Sequence, residues 1–293
     1  MRKITIKKTA ILSILATSII ASKSHAIDLN SRDFIPAPLD TDFAVVYLPT
    51  AFSNDFHGPA DNLGTAEVRA SALVYRQVWT TDICGLKCTP QFIIKYVDID
   101  SKAPGMSRSD QDRGIGDPTV GATLMLLDEP ASGTYIGLMG LLTIPIGEYD
   151  SRSPSTSPGG NRWASDINLN ITKRLGHNWV AEINFDVEGY GKNDDFAGSE
   201  LKQRPLFRSQ NFISYDFSPS TYAALKLEIT QGGELEINGR TIADSKQRYT
   251  QLGVEAAHWL DKSNQIAIFA GKNISSSNSY DMKSMGLRYV HVF

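Results

Sequence analysis

An all-β fold, a transmembrane antiparallel β-barrel of about twelve strands, is what this sequence predicts, and three observations predict it. Apolar and polar residues alternate with period two through most of the 293 residues, as they do in strands whose two faces meet different surroundings. The connections between these stretches switch between tight turns and longer runs rich in Gly, Ser, Pro and Asp. Beyond a leader-like start, no charge-free apolar run approaches the roughly 20 residues of a membrane-crossing helix. A membrane protein without such a helix must close its strands into a barrel, because backbone N–H and C=O groups find no partner in lipid.

The elements follow in chain order. Arg2, Lys3, Lys7 and Lys8 form a basic start, Thr9 to Ala21 is an apolar run of 13 residues, and Ser24-His25-Ala26 offers small residues where a signal peptidase reads. Residues 1–26 are expected to be a secretory signal peptide cut after Ala26. The remaining 267 residues hold 24 basic and 32 acidic side chains, a net charge of −8. That balance points away from nucleic acid and from an anionic membrane surface as partners. Residues 27–40 hold Pro36 and Pro38 and show no strand pattern. This segment is expected on the periplasmic side. It is long enough to fold back into the barrel mouth with Phe34 and Ile35 as a plug; the alternative is a disordered tail. One barrel domain is expected over 41–293. An apolar content of 41% suits a barrel with one wet face.

Twelve candidate strands fill that domain: 41–50, 64–79, 90–101, 116–128, 133–146, 161–174, 178–190, 204–217, 220–233, 248–260, 264–274 and 279–293. Asp128 to Ser132, Leu175 to His177, Ser218-Pro219 and Asp261 to Ser263 are tight connections, whereas 51–63, 102–115, 147–160, 191–203 and 234–247 are long. Short periplasmic turns and longer extracellular loops mark outer-membrane barrels. An even strand count leaves both ends of the barrel domain, and the turn at 80–89, on the periplasmic side. A soluble sandwich has no reason to alternate its loop lengths this regularly.

The faces agree. In the seventh strand Trp179, Ala181, Ile183, Phe185 and Val187 alternate with Val180, Glu182, Asn184, Asp186 and Glu188. In the sixth, Ile167, Leu169 and Ile171 alternate with Asp166, Asn168 and Asn170; in the ninth, Leu225, Leu227 and Ile229 alternate with Lys226, Glu228 and Thr230. A barrel in lipid turns the apolar set outward. Trp163, Trp179, Tyr215, Phe217 and Tyr289 sit near strand ends on those faces, as interfacial girdle residues do. The third strand is ambiguous, with Ile93 and Lys95 on one face. The last strand has Met285, Leu287, Tyr289, His291 and Phe293 on one side. It resembles the closing strand of bacterial outer-membrane barrels, whose assembly machinery reads a terminal aromatic residue; Phe293 is the expected assembly signal.

Cys84 and Cys88, in the run Cys-Gly-Leu-Lys-Cys, are expected to pair in an oxidising exported compartment as a clasp on a turn. The loop is so small that the entropic gain is slight, and two sulfurs with no histidine nearby make a poor metal site.

Several segments then read together: Gly114-Ile115-Gly116-Asp117-Pro118-Thr119, Leu142-Thr143-Ile144-Pro145-Ile146-Gly147, Asn161-Arg162-Trp163, Thr172-Lys173-Arg174-Leu175-Gly176, Arg204-Pro205-Leu206 and Ser214-Tyr215-Asp216-Phe217-Ser218-Pro219. In this order the set resembles the family of outer-membrane proteins named for the meta-cleavage pathway of phenol degradation. The resemblance runs from about the second strand to Phe293. It implies a barrel that passes small apolar or aromatic compounds across the bacterial outer membrane, with lipid, the barrel assembly machinery and a small-molecule solute as partners. It carries no cofactor and no catalytic residues with it.

Alternation assigns Glu67, Arg69, Asp117, Asp166, Glu182, Asp186, Glu188, Arg208, Asp216, Lys226, Glu228, Glu255 and Arg288 to the lumen. These residues are either a charged constriction that filters solutes or a network of ion pairs that fills a narrow barrel. Twelve strands lie between small filled barrels and open porins, so a passive channel and a filled structural or surface-interaction barrel both stand. Catalysis is not expected: His57, His177, His258 and His291 lack a neighbouring serine with an orienting acid. Asp110, Asp112 and Asp117 do not have the spacing of a calcium loop, and no metal is expected.

Overall fold

The computed structural model describes residues 28–57, 66–102 and 108–293. The expected signal peptide lies outside the described residues. Twelve long strands form the wall: Asp42–Ser53 (β1), Glu67–Trp79 (β2), Leu86–Lys102 (β3), Thr119–Glu129 (β4), Thr134–Thr143 (β5), Ala164–Leu175 (β6), Trp179–Tyr190 (β7), Leu206–Ser218 (β8), Thr221–Gly232 (β9), Gln247–Trp259 (β10), Asn264–Ser277 (β11) and Lys283–Val292 (β12). Each pairs antiparallel with its neighbours in the chain. β1 closes the circle by pairing with β12, where Phe43 meets Val292, and with β2, where Phe43 meets Val78. All twelve expected strands are present, so no sheet edge is left to lipid.

Tight turns gather at one end. There the Asp40 amide bonds to the Thr80 carbonyl, and the Phe293 amide to the Asp42 carbonyl. Outward residues of the wall are apolar and exposed on the isolated chain, among them Leu48, Ile94, Ile167, Phe185, Val254 and Leu287. At the tight-turn end Trp179, Tyr215 and Phe217 stack edge to face, with ring centroids 4.8 and 5.1 Å apart. His291 packs on Phe293 in the same way. Rings with one apolar and one wet side settle at the membrane interface.

The other end is more elaborate than the run of loops expected there. Residues Asn193–Phe196, Ser199–Gln203, Leu235–Ile237 and Arg240–Thr241 form a four-stranded sheet. Phe196, Leu201, Leu235, Ile237 and Ile242 give it a small core of its own. Strand Asp110–Ile115 folds back onto the outer half of β3, which meets β4 only from Cys88 to Ile93.

Three expectations are corrected. Glu67 and Arg69 face outward. Opposed residues share a face, and Arg69 lies opposite Phe52, while Ser53 and Val68 are the buried pair above them. Glu67 instead bonds Lys102 on the outer surface at 3.1 Å. Cys84 and Cys88 are free thiols. The hairpin turns at Cys84-Gly85, so Cys88 lies opposite Thr81 rather than Cys84. Last, the long connection 147–160 is not a solvent loop throughout, because residues 154–159 are buried.

Candidate functional site

The lumen has two unlike walls. On β6 to β9 the inward positions are mostly polar and almost wholly shielded. Asn168 Nδ2 donates to Asp186 (2.7 Å), Asn170 Nδ2 to Asn184 Oδ1 (2.8 Å), and Gln210 Nε2 to Asp186 (3.2 Å). Arg208 lies 3.3 Å from Glu188 and 3.7 Å from Asp186. Lys226 lies 3.0 Å from Glu228, which also accepts the Tyr249 hydroxyl at 2.9 Å. Glu255 takes the Tyr222 hydroxyl at 2.8 Å and lies 3.2 Å from Arg288. Buried charges persist only when paired in this way. Asp166 is fully buried beside them, and neither of its oxygens accepts a hydrogen bond among the described residues.

Residues 28–34 run inside the barrel along this polar wall. Asn30 Nδ2 bonds Glu255 (2.8 Å), Ser31 Oγ and the Arg32 amide both bond Glu182 (2.7 and 2.9 Å), and Arg32 reaches Asp216 (2.6 Å). Asp33 lies between Arg76 and Arg288, at 3.4 and 3.5 Å. Asp28 meets Arg208 at 3.3 Å. Leu29 and Phe34 add an apolar anchor with Met139, Leu141 and Phe212. Gly137 makes room for it, since a Cβ there would lie 2.5 Å from the Phe34 ring. Ten of the thirteen sequence-derived candidates therefore line the lumen, from Asp166 through Arg288. Most of these ten hold one another or this segment.

The opposite wall, β1 to β3, is largely apolar on its inner face. Val68, Ala70, Ala72, Val74, Ile93 and Val97 line a cavity of about 370 Å³, which Phe269 of β11 and Met282 share. Its outer boundary is the connection after β5. Asp117, the thirteenth candidate, stands outside the strands and accepts the Gly147 and Gly160 amides at 2.8 and 2.7 Å. That carboxylate ties the two ends of the connection together and turns Ser157 to Gly160 toward the cavity. Arg76, Tyr47 and Lys95 also face it. Alternation alone missed them, although the pairing of Ile93 and Lys95 on one face was a visible signal.

The histidines lie elsewhere. His57 is 3.4 Å from Asp281, His258 bonds the Thr221 hydroxyl and His291 bonds Asn264. Among the described residues no cluster of three or more His, Cys, Asp or Glu side chains is arranged to hold a metal ion.

Comparison with solved structures finds the same wall. An outer membrane channel from Pseudomonas putida F1 superposes with a TM-score of 0.82 at 24% identity, covering 91% of this chain and 100% of that one. The transport unit of the autotransporter AIDA-I from Escherichia coli superposes with a TM-score of 0.58 at 8% identity, covering 96% and 97%. The β domain of the Bordetella autotransporter BrkA does so at 0.56 and 12% identity, covering 87% and 100%. These likenesses show the fold, that of an outer-membrane barrel. No curated protein sequence matches this chain significantly. Residues 51–289 match the model of the family described as "Putative MetA-pathway of phenol degradation", and the chain belongs to that family.

Proposed function

We propose that this protein is an outer-membrane channel for passive uptake of small molecules, phenol-like or other apolar aromatic compounds among them, and not an enzyme. The observation that carries this reading is the cavity of about 370 Å³ against the apolar β1 to β3 wall. A barrel built only to be filled would occupy that space with side chains, because voids cost stability. A dry cavity of roughly 150 Å³ already accepts benzene, so this one has room for a substituted ring. The family description names phenol degradation, and the similar barrel from Pseudomonas putida F1 is an outer membrane channel; both support the reading. Residues 28–34 act in it as a plug that must shift for solute to pass.

The test is uptake of radiolabelled phenol by porin-deficient cells, with and without this barrel in the outer membrane. Uptake should rise with the barrel and fall back in Ala70→Trp, which fills the cavity. Equal uptake in all three strains would favour a filled structural or surface-interaction barrel instead.

A further inference from the structure

Lys95 is a cation without an anion. Its side chain enters the cavity between Ile93 and Val97, and among the described residues it forms no ion pair and no hydrogen bond through its ammonium. Every other charged group on the cavity is engaged. Arg76 lies 3.4 Å from Asp33 and donates to Gln91 at 2.7 Å. Lys226 pairs with Glu228, Glu255 with Arg288, and Asp28 with Arg208. Asp117, the acid whose field reaches Lys95, directs one oxygen to the Gly147 amide and the other to the Gly160 amide.

The stem of Lys95 is held in place. It lies on Gly116, where an added Cβ would stand 2.8 Å from Cε and 2.9 Å from Cγ, and the Gly116 amide bonds the Lys95 carbonyl at 2.9 Å. A strongly hydrated ammonium kept beside an apolar wall is costly unless an anion or water meets it. An apolar surface with one cation aimed into it is complementary to a flat apolar body that carries one negative charge.

Resting on the channel reading above, we infer that Lys95 makes this cavity a subsite for small aromatic anions, a ring bearing one carboxylate, with the ring on the β1 to β3 wall and the carboxylate on Nζ. The acids on the cavity itself do not oppose this, because Glu228, Glu255 and Asp28 are paired with Lys226, Arg288 and Arg208. The subsite separates anionic from neutral rings, which the apolar wall alone cannot do.

The test is saturation-transfer NMR and calorimetric titration of the purified barrel in detergent, with benzoate and benzyl alcohol as probes. Wild type should bind both, with benzoate tighter. Lys95→Gln should weaken benzoate about tenfold, the scale of one lost charge-assisted hydrogen bond, and leave benzyl alcohol unchanged. Lys95→Arg should restore benzoate. Heat-modifiability on gels confirms that each variant is folded. If Lys95→Gln binds benzoate as wild type does while benzyl alcohol still binds, the anion subsite is wrong and the apolar cavity stands. If wild type binds neither probe, both readings fall together.

Discussion

Replacing Phe34 by alanine should loosen the segment that occupies the lumen. Phe34 is 3% exposed and packs with Leu29, Met139, Leu141 and Phe212. Its ring lies against Gly137, where no side chain exists to close the gap left behind. Truncating a buried phenylalanine costs about 3–5 kcal/mol, and each 1.4 kcal/mol is about a factor of ten. The population with residues 28–34 undocked should therefore rise from about 10²-fold to a few thousand-fold, although the substitution leaves the groups that bond Glu182, Glu255 and Asp216 in place. Planar-bilayer recording of wild type, Phe34→Ala, Phe34→Leu and a chain lacking residues 28–40 reads this directly. Conductance or open time should increase in the order wild type, leucine, alanine, deletion. If deletion opens the pore and Phe34→Ala behaves as wild type, the aromatic anchor does not hold the segment and the reasoning is refuted.

Four further outcomes are expected. Leu225, 61% exposed on the outer face, should not tolerate arginine: a cost of up to about 2–4 kcal/mol in urea titrations of vesicle-embedded barrel, against almost none for Leu260→Arg in the tight-turn end. Equal costs would remove the lipid-face assignment. In a background without Cys84 and Cys88, Arg152→Cys and Asp195→Cys should react with an impermeant thiol reagent on intact cells, and reaction only after outer-membrane rupture would invert the topology. Asp117→Ala strips two amides of their acceptor, at about 1–3 kcal/mol each. It should speed hydrogen exchange at Gly147 and Gly160, and unchanged protection there would show that the connection holds itself. Deleting Phe293 should lower the amount of barrel assembled in the outer membrane; normal abundance would show that the terminal ring is not read.

The wall was legible in the sequence because lipid outside and polar groups inside impose a strict alternation, clearest on β6, β7 and β9. Where both faces depart from that rule, the reading failed. On β2 the small apolar residues Val68, Ala70 and Ala72 line the lumen, while Glu67 and Arg69 lie outside above the apolar band. Polarity alone therefore put the strand in backwards at its outer end. The outer four-stranded sheet left a local trace. Asn238 and Gly239 both have positive φ, at 49° and 75°, the conformation of a two-residue hairpin turn that this dipeptide favours. The trace is short and sits in a polar stretch, so it read as loop. The inward fold of 154–159 depends on Asp117 reaching two glycine amides about 30 and 43 positions away, a relation no local pattern carries. The lumenal carboxylates were found by alternation, but their use in gripping residues 28–34 was not.

The β6–β7 pair and the segment inside the barrel differ in when they can be completed. Asn168 and Asn170 find Asp186 and Asn184 across one tight turn, 18 and 14 residues away, so that hairpin can make these two contacts before the barrel closes. Ser31, Leu29, Arg32 and Asn30 wait for partners 151, 181, 184 and 225 residues further along the chain, spread over β7, β8 and β10. Those partners face a common interior only after the circle of strands has closed. The stretch that leads into β1 is thus made before the barrel and seated after it, and every newly assembled molecule passes through a moment with its lumen vacant.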